Sequence, residues 1–262
     1  MSSTTLKIIA LILMLLDHIA TFIPGAPIWL KWVGRISAPL FIFTMVWGLH
    51  YTKDRFKYLK NMYFWGVGMS IGDVIVSTLV TKAHSMASNN IFVTLFLIGL
   101  FSTLIEMFVN KENKKGYITL GIIVLVQVLG IALIPVVQSL FPSIPTAYFI
   151  VAAIFPNLLH CEGMFVAVIL GVGLYFAKKL TPVKFSMIYI ILSMLMFMSQ
   201  DVSFTINGLF NENYQWMMVF ALPFMLMYNG KKGSNLKYLF YVFYPAHVYI
   251  LCYLGSIISF KS

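Results

Sequence analysis

Leu6-Lys7-Ile8-Ile9-Ala10-Leu11-Ile12-Leu13-Met14-Leu15-Leu16-Asp17-His18-Ile19 opens the first apolar run of the chain, and its reading decides the fold. From Ile8 to Ile23 only Asp17, His18 and Thr21 are polar. A stretch this long and this apolar reads as a membrane-spanning helix. A carboxylate placed in hydrocarbon costs at least ~2.5–3.5 kcal/mol, so an embedded Asp-His pair is a candidate functional site. Lys7, Met14 and His18 fall on one helical stripe, because eleven residues make about three turns. A cation at one end of the helix is thus followed, roughly 16 Å deeper on the same face, by a titratable base.

Composition extends that reading to the whole chain. It is 60% hydrophobic, 16% aromatic and only 10% charged, against about 25% charged in soluble domains. Apolar runs lie near residues 6–23, 33–52, 61–81, 91–109, 117–140, 146–177, 185–200, 214–229 and 236–259. The expected fold is an all-α, polytopic transmembrane helix bundle of about nine spans, forming a single integral-membrane domain over residues 1–262. The sixth run is too long for one straight span and contains Pro156, Asn157, His160, Cys161, Glu162 and Gly163. A broken or re-entrant segment is expected there, since irregular backbone at depth is tolerated where it lines a cavity. No small-x-small cleavage site precedes Pro24-Gly25, so the first run is expected to be retained.

Charge gives the orientation. With nine spans and the N-terminus inside, 14 of the 18 Lys and Arg fall on the inner side, around 7, 53–60, 111–115, 178–184 and 231–237. Lys31, Arg35, Lys82 and Lys261 remain outside. This fits the positive-inside rule and predicts a bacterial cytoplasmic membrane protein with its C-terminus outside. The net charge of +10 follows from basic loops facing an anionic lipid surface, so nucleic acid is not an expected partner. Cys161 and Cys252 offer neither a metal spacing nor a disulfide framework.

Several constellations carry possible chemistry. Imidazole serves as a general base near neutral pH when a neighbour fixes it, which nominates His18 with Asp17 as its orienting partner. A polar pair that bonds across helices is the structural alternative. Arg35, after Gly34, offers a planar fork for carboxylate or phosphate; snorkelling to the headgroups is open as well. In the last run, Tyr244 and His247 lie three apart on one face beside Pro245. His160 and Glu162 accompany the break at Pro156-Asn157 and suit either a cavity lining or a surface loop. Asp73 is deep in the third run; His50 and His84 read as interfacial. No zinc spacing, phosphate-binding glycine loop or dinucleotide motif is present, so no metal is expected.

These fragments together resemble the TraX family of membrane proteins, whose founding activity is N-acetylation of a conjugative pilin. The resemblance is carried by Leu6-Lys7, Ala10, Met14 and Asp17-His18-Ile19; by Gly34-Arg35 through Pro39-Leu40-Phe41 to Gly48; by Tyr228-Asn229-Gly230-Lys231-Lys232-Gly233; and by Lys237-Tyr238 through Tyr244-Pro245 to His247. Residues 110–215 match little. Where the family often has an Asp-Tyr-Gly type segment, this chain has Cys161-Glu162-Gly163. The spacing of Lys7, Ala10 and His18 is also similar to that of type 3 membrane acyltransferases, with Lys in place of their usual Arg.

The resemblance implies a membrane acyltransferase that takes an acetyl group from cytoplasmic acetyl-CoA to an amine or hydroxyl. The acceptor would be a peptide, glycan or lipid-linked molecule. Lys7, Lys231 and Lys232 would hold the donor, and His18, Asp17 and Arg35 would carry the chemistry. Tyr244, His247, His160, Glu162 and Asp73 would line the substrate cavity. A proton-coupled small-molecule transporter is the rival reading, since embedded acids, histidines and a broken helix suit one.

Overall fold

The computed structural model describes residues 1–80, 90–144, 146–234 and 236–259; Lys82, His84 and Lys261 lie outside the described residues. The described residues are mostly helical and contain no strand. Six helical stretches are long and apolar enough to cross a membrane. They are α1 (Ser3–Phe22), the pair α2 (Trp29–Gly34) and α3 (Ser37–Tyr51), α4 (Arg55–Leu79), α5 (Ile91–Val109), α6 (Asn113–Leu140), and the last helix α11 (Lys237–Ser259).

The remaining apolar runs form shorter pieces, so six of the nine expected spans are membrane-length helices among the described residues. Run 146–177 divides into α7 (Tyr148–Ile154) and α8 (Met164–Ala177). Run 185–200 is the 17-residue α9 (Pro182–Met198), and run 214–229 holds a 3₁₀ stretch, Gln215–Ala221, leading into α10 (Leu222–Leu226). The expected break in the sixth run is present, and Asn157 accounts for it. Its Oδ1 accepts from the backbone N–H of Leu159 and His160 and faces Nδ1 of His160. That local bonding competes with helical bonding.

Two compact units are built from these elements. Residues 1–48 and 173–259 make one, residues 49–79 and 90–172 the other. In the first unit α1 packs on α2 and on α11. Leu6, Ala10, Leu11, Met14, His18 and Phe22 form its buried stripe, the face that the Lys7–Met14–His18 spacing predicts. Gly34 lies where a Cβ would overlap the Asp17 side chain, and a Cβ at Gly255 would overlap the Phe22 carbonyl. Both glycines permit helices to approach at backbone distance, as small residues do in membrane packing. In the second unit α4 packs on α5 and α7, and α6 on α7. Most of α6 is exposed and apolar, a face suited to lipid.

Candidate active site

The first unit brings His18 of α1 against His247 of α11, 229 residues away in sequence. Both are buried, as is Tyr244, one turn from His247. Nδ1 of His18 lies 2.7 Å from Nε2 of His247, and Nδ1 of His247 lies 2.7 Å from the Phe243 carbonyl oxygen. A carbonyl only accepts, so His247 carries its proton on Nδ1 and presents Nε2 as an acceptor. His18 must then donate from Nδ1, which leaves Nε2 as its basic nitrogen. One backbone carbonyl thus sets the tautomers of two rings in series. Phe22 and Tyr244 complete the surround, with ring centroids 5.9 and 6.2 Å from that of His18.

Asp17 pairs with Arg35 rather than touching His18, as the divergence of adjacent helix residues allows. Nη2 of Arg35 lies 2.5 and 2.6 Å from its two carboxylate oxygens. Successive helix residues point about 100° apart, so Asp17 is turned towards α2 while His18 faces α11. Arg35 is anchored within the protein rather than extended to headgroups. Nη1 donates to Gln215 Oε1 at 3.3 Å, and the guanidinium carbon lies 5.5 Å from the Tyr214 ring centroid. Trp32 Nε1 donates to the Phe210 carbonyl at 2.7 Å, tying α2 to the same region.

At the other end of α1 the N-terminus lies beside the basic segment Lys231–Lys232. Residues 1–4 run alongside 227–234. The Ser3 and Thr4 N–H groups donate to the Lys231 and Lys232 carbonyls, the Asn229 N–H donates to the Met1 carbonyl, and Thr4 Oγ1 donates to the Ser234 carbonyl at 2.6 Å. Gly233, at φ 79°, meets Ser2 and Thr4 so closely that a Cβ would contact their hydroxyls. This clasp carries Lys231 and Lys232, both exposed, to the start of the helix that bears Lys7. Lys7 Nζ sits 5.7 Å over the Phe240 ring.

Asp73, His160 and Glu162 lie in the second unit, where all three border one small, mostly apolar cavity with Ser70 and Asn90. Asp73 and Ser70 are buried, whereas His160 and Glu162 are exposed. Among the described residues no three His, Cys, Asp or Glu converge closely enough to hold a metal ion. Cys161 is buried beside them.

The family model described as TraX protein matches residues 2–255. The chain belongs to the TraX family. Among curated proteins, a relative is the probable fimbrial assembly protein FimC, serogroup H1, of Dichelobacter nodosus. It is 22% identical over 258 residues, covering 96% of this chain and 94% of the relative. No solved structure matches.

Within this TraX-family chain, several site residues escape a reading of the sequence. Gln215 and Tyr214 reach Arg35 from about 180 positions away, and nothing local marks them. Asn90 does carry a signal, since it immediately precedes the apolar run at Ile91 in an N-cap position. Ser70 lies one helical turn before Asp73, a spacing that places both on one face of α4.

Proposed function

We propose that this TraX-family protein is a membrane-embedded acyltransferase. It moves an acetyl group from cytoplasmic acetyl-CoA to an amine or hydroxyl of a peptide, glycan or lipid-linked acceptor at the membrane or its outer face. The observation that carries the reading is the chain from the Phe243 carbonyl through His247 to His18. It leaves a basic nitrogen deep on the same face of α1 as Lys7. The family, and a relative described as a fimbrial assembly protein, favour the subunit of a surface filament as acceptor.

In the proposed reaction, Lys7, Lys231 and Lys232 attract the donor phosphates. His18 Nε2 takes the proton of the acceptor N–H or O–H as that atom attacks the thioester carbonyl carbon. The C–S bond breaks, and the proton passes to the departing CoA sulfur. While His18 is charged, its Nδ1–H bond to His247 is charge-assisted and therefore stronger. Arg35, fixed by Asp17 and Gln215, stabilises the negative charge developing on the carbonyl oxygen. Tyr244 and His247 wall the reacting centre.

In the proposed topology, nine apolar runs cross the cell membrane with the N-terminus inside and the C-terminus outside, supported by the 14-to-4 division of basic residues. Single cysteines placed at 53–60, 111–115, 178–184 and 231–237 are expected to resist impermeant reagents added outside. Labelling of any of these from the outside breaks the arrangement.

The cavity at Asp73 favours a second reading, a proton-coupled transporter. Purified protein separates the two. Acetyl-CoA is expected to raise its melting temperature saturably, because a ligand bound only by the folded state stabilises it. An active preparation with no saturable CoA binding removes the donor from the mechanism.

A further inference from the structure

We propose that Thr4 is a positioning residue for the acyl donor, acting through the left-handed turn at Gly233 to hold Lys231 and Lys232 against the start of α1. The inference rests on the acyltransferase reading, in which these lysines and Lys7 receive the phosphates of CoA. Thr4 is uncharged and only 8% exposed, so it acts on the donor through what it holds.

The clasp between residues 1–4 and 227–234 converges on this one side chain. The Thr4 N–H donates to the Lys232 carbonyl at 3.0 Å. The Thr4 hydroxyl lies 3.0 Å from that same carbonyl and 2.6 Å from the carbonyl of Ser234. Gly233 stands between the two carbonyls at φ 79°, a conformation that glycine adopts without steric cost. That turn aims the carbonyls on both sides of Gly233 at Thr4. A Cβ at Gly233 would lie 2.6 Å from Ser2 Oγ and 2.9 Å from Thr4 Oγ1, so the close approach also excludes a side chain. Just before it, Asn229 Oδ1 accepts from the Lys231 N–H at 3.1 Å, and the Ser3 N–H donates to the Lys231 carbonyl at 2.8 Å. The backbone of both lysines is thus fixed to α1 while both residues stay exposed.

This arrangement works against its own electrostatics. Lys232 lies near enough to Lys7 for the two charges to repel. Among the described residues no carboxylate is paired with Lys7, Lys231 or Lys232. A multiply charged anion relieves such repulsion, and phosphate oxygens do so with charge-assisted hydrogen bonds. On a loose segment the same lysines must be ordered at the moment of binding, and that ordering subtracts from affinity. Thr4 therefore contributes to donor affinity by preorganisation, ahead of any contact with the donor.

The experiment titrates CoA into the full-length protein purified in detergent. Thr4→Val keeps the branched shape and removes the hydroxyl. It should weaken CoA binding roughly two- to tenfold, the range of one lost hydrogen bond. Thr4→Ser keeps the hydroxyl and should bind like the parent. In a Lys232→Ala background the loss caused by Thr4→Val should fall below roughly twofold, because Thr4 acts through the lysine it holds. A merely structural role gives the same loss in both backgrounds. A second measurement needs no variant to fold. Coupling between sites is reciprocal, so a clasp that favours CoA is itself favoured by CoA. Saturating CoA should therefore slow hydrogen exchange at the Ser3, Thr4 and Asn229 amides of the parent, the donors that close the clasp. Unchanged exchange at these amides overturns the proposal. So does parental affinity in folded Thr4→Val, or an equal loss in the two backgrounds. Each of those results leaves CoA bound and the acyltransferase reading in place. A parent protein with no saturable CoA binding removes that reading, and this inference with it.

Discussion

Asp17 and Asp73 are both carboxylates on membrane-length helices, and the protein treats them in opposite ways. Asp17 is closed off by a guanidinium whose Nη2 lies 2.5–2.6 Å from both its oxygens. Asp73 faces a cavity where further acceptors collect. The first arrangement balances its charge within the chain and can hold a neighbouring base in place. The second sets its carboxylate among other polar side chains at the edge of a small cavity. Two buried carboxylates therefore serve differently according to what surrounds them, one in an ion pair and one in the wall of a cavity.

The largest effect expected is at the matched site. His18→Ala should lower acetyl transfer by roughly 10²–10⁴-fold while CoA affinity stays close to that of the parent protein, because Lys7 lies about three helical turns away. Lys7→Ala should do the reverse and weaken donor binding first. Transfer rates and CoA titrations on both variants read this out. Full activity in folded His18→Ala protein would return the two histidines to a packing role.

Next comes the ion pair itself. Asp17→Ala should destabilise the protein by about 2–3 kcal/mol, less than the ~3–5 of a fully buried pair because both side chains keep some solvent. Replacing both partners, as in Asp17→Leu with Arg35→Leu, should recover much of that loss. Chemical or thermal unfolding of the single and double variants measures the coupling. Additive losses would mean that the pair does not neutralise Asp17.

Glycine substitutions sharpen the same contrast between units. Gly34→Ala should cost about 1–3 kcal/mol, because the new Cβ overlaps Asp17 and forces α1 from α2. Gly66→Ala in the second unit should cost about 1 kcal/mol or less, since its Cβ would meet the Val93 methyl at 3.2 Å, a contact that a small shift relieves. Similar losses at the two positions would contradict the close approach at Gly34.

The smallest effect concerns Cys161. Its thiol is buried in the break between α7 and α8 and so shielded from reagents. Alkylation should be slow in the folded protein and should accelerate on unfolding. Rapid modification at pH 8 would show that Cys161 is more solvated than the structure indicates.

Much of the first unit was legible because its signals repeat with the helical period. Lys7, Met14 and His18 declare one stripe, and Tyr244 with His247 declares another. Their meeting also follows from the family resemblance. The partner of Asp17 was not legible, because the choice between Arg35 and His18 depends on how α2 lies across α1. The helix lengths within the later runs were not legible for a related reason. An apolar run does not distinguish a membrane-length helix from two short buried pieces. The local bonding of Asn157 and the left-handed turn at Gly163-Met164 separate α7 from α8, and Pro182 sets where α9 begins. Asp73, His160 and Glu162 were each singled out, yet nothing in the sequence placed them around one cavity.

The two polar contacts of α1 also differ in when they can form. Arg35 follows Asp17 by only 18 positions, so the costly carboxylate meets its counter-charge while the first helical hairpin is still being made. His247 follows His18 by 229 positions, a delay on the order of 10–50 s at about 5–20 residues per second of synthesis. The expensive charge is thus settled at the outset of insertion, and the hydrogen bond that sets the basic nitrogen is closed only when the last helix arrives. A chain truncated before α11 would carry a neutralised first helix and no organised base, so the growing polypeptide is silent until it is nearly complete.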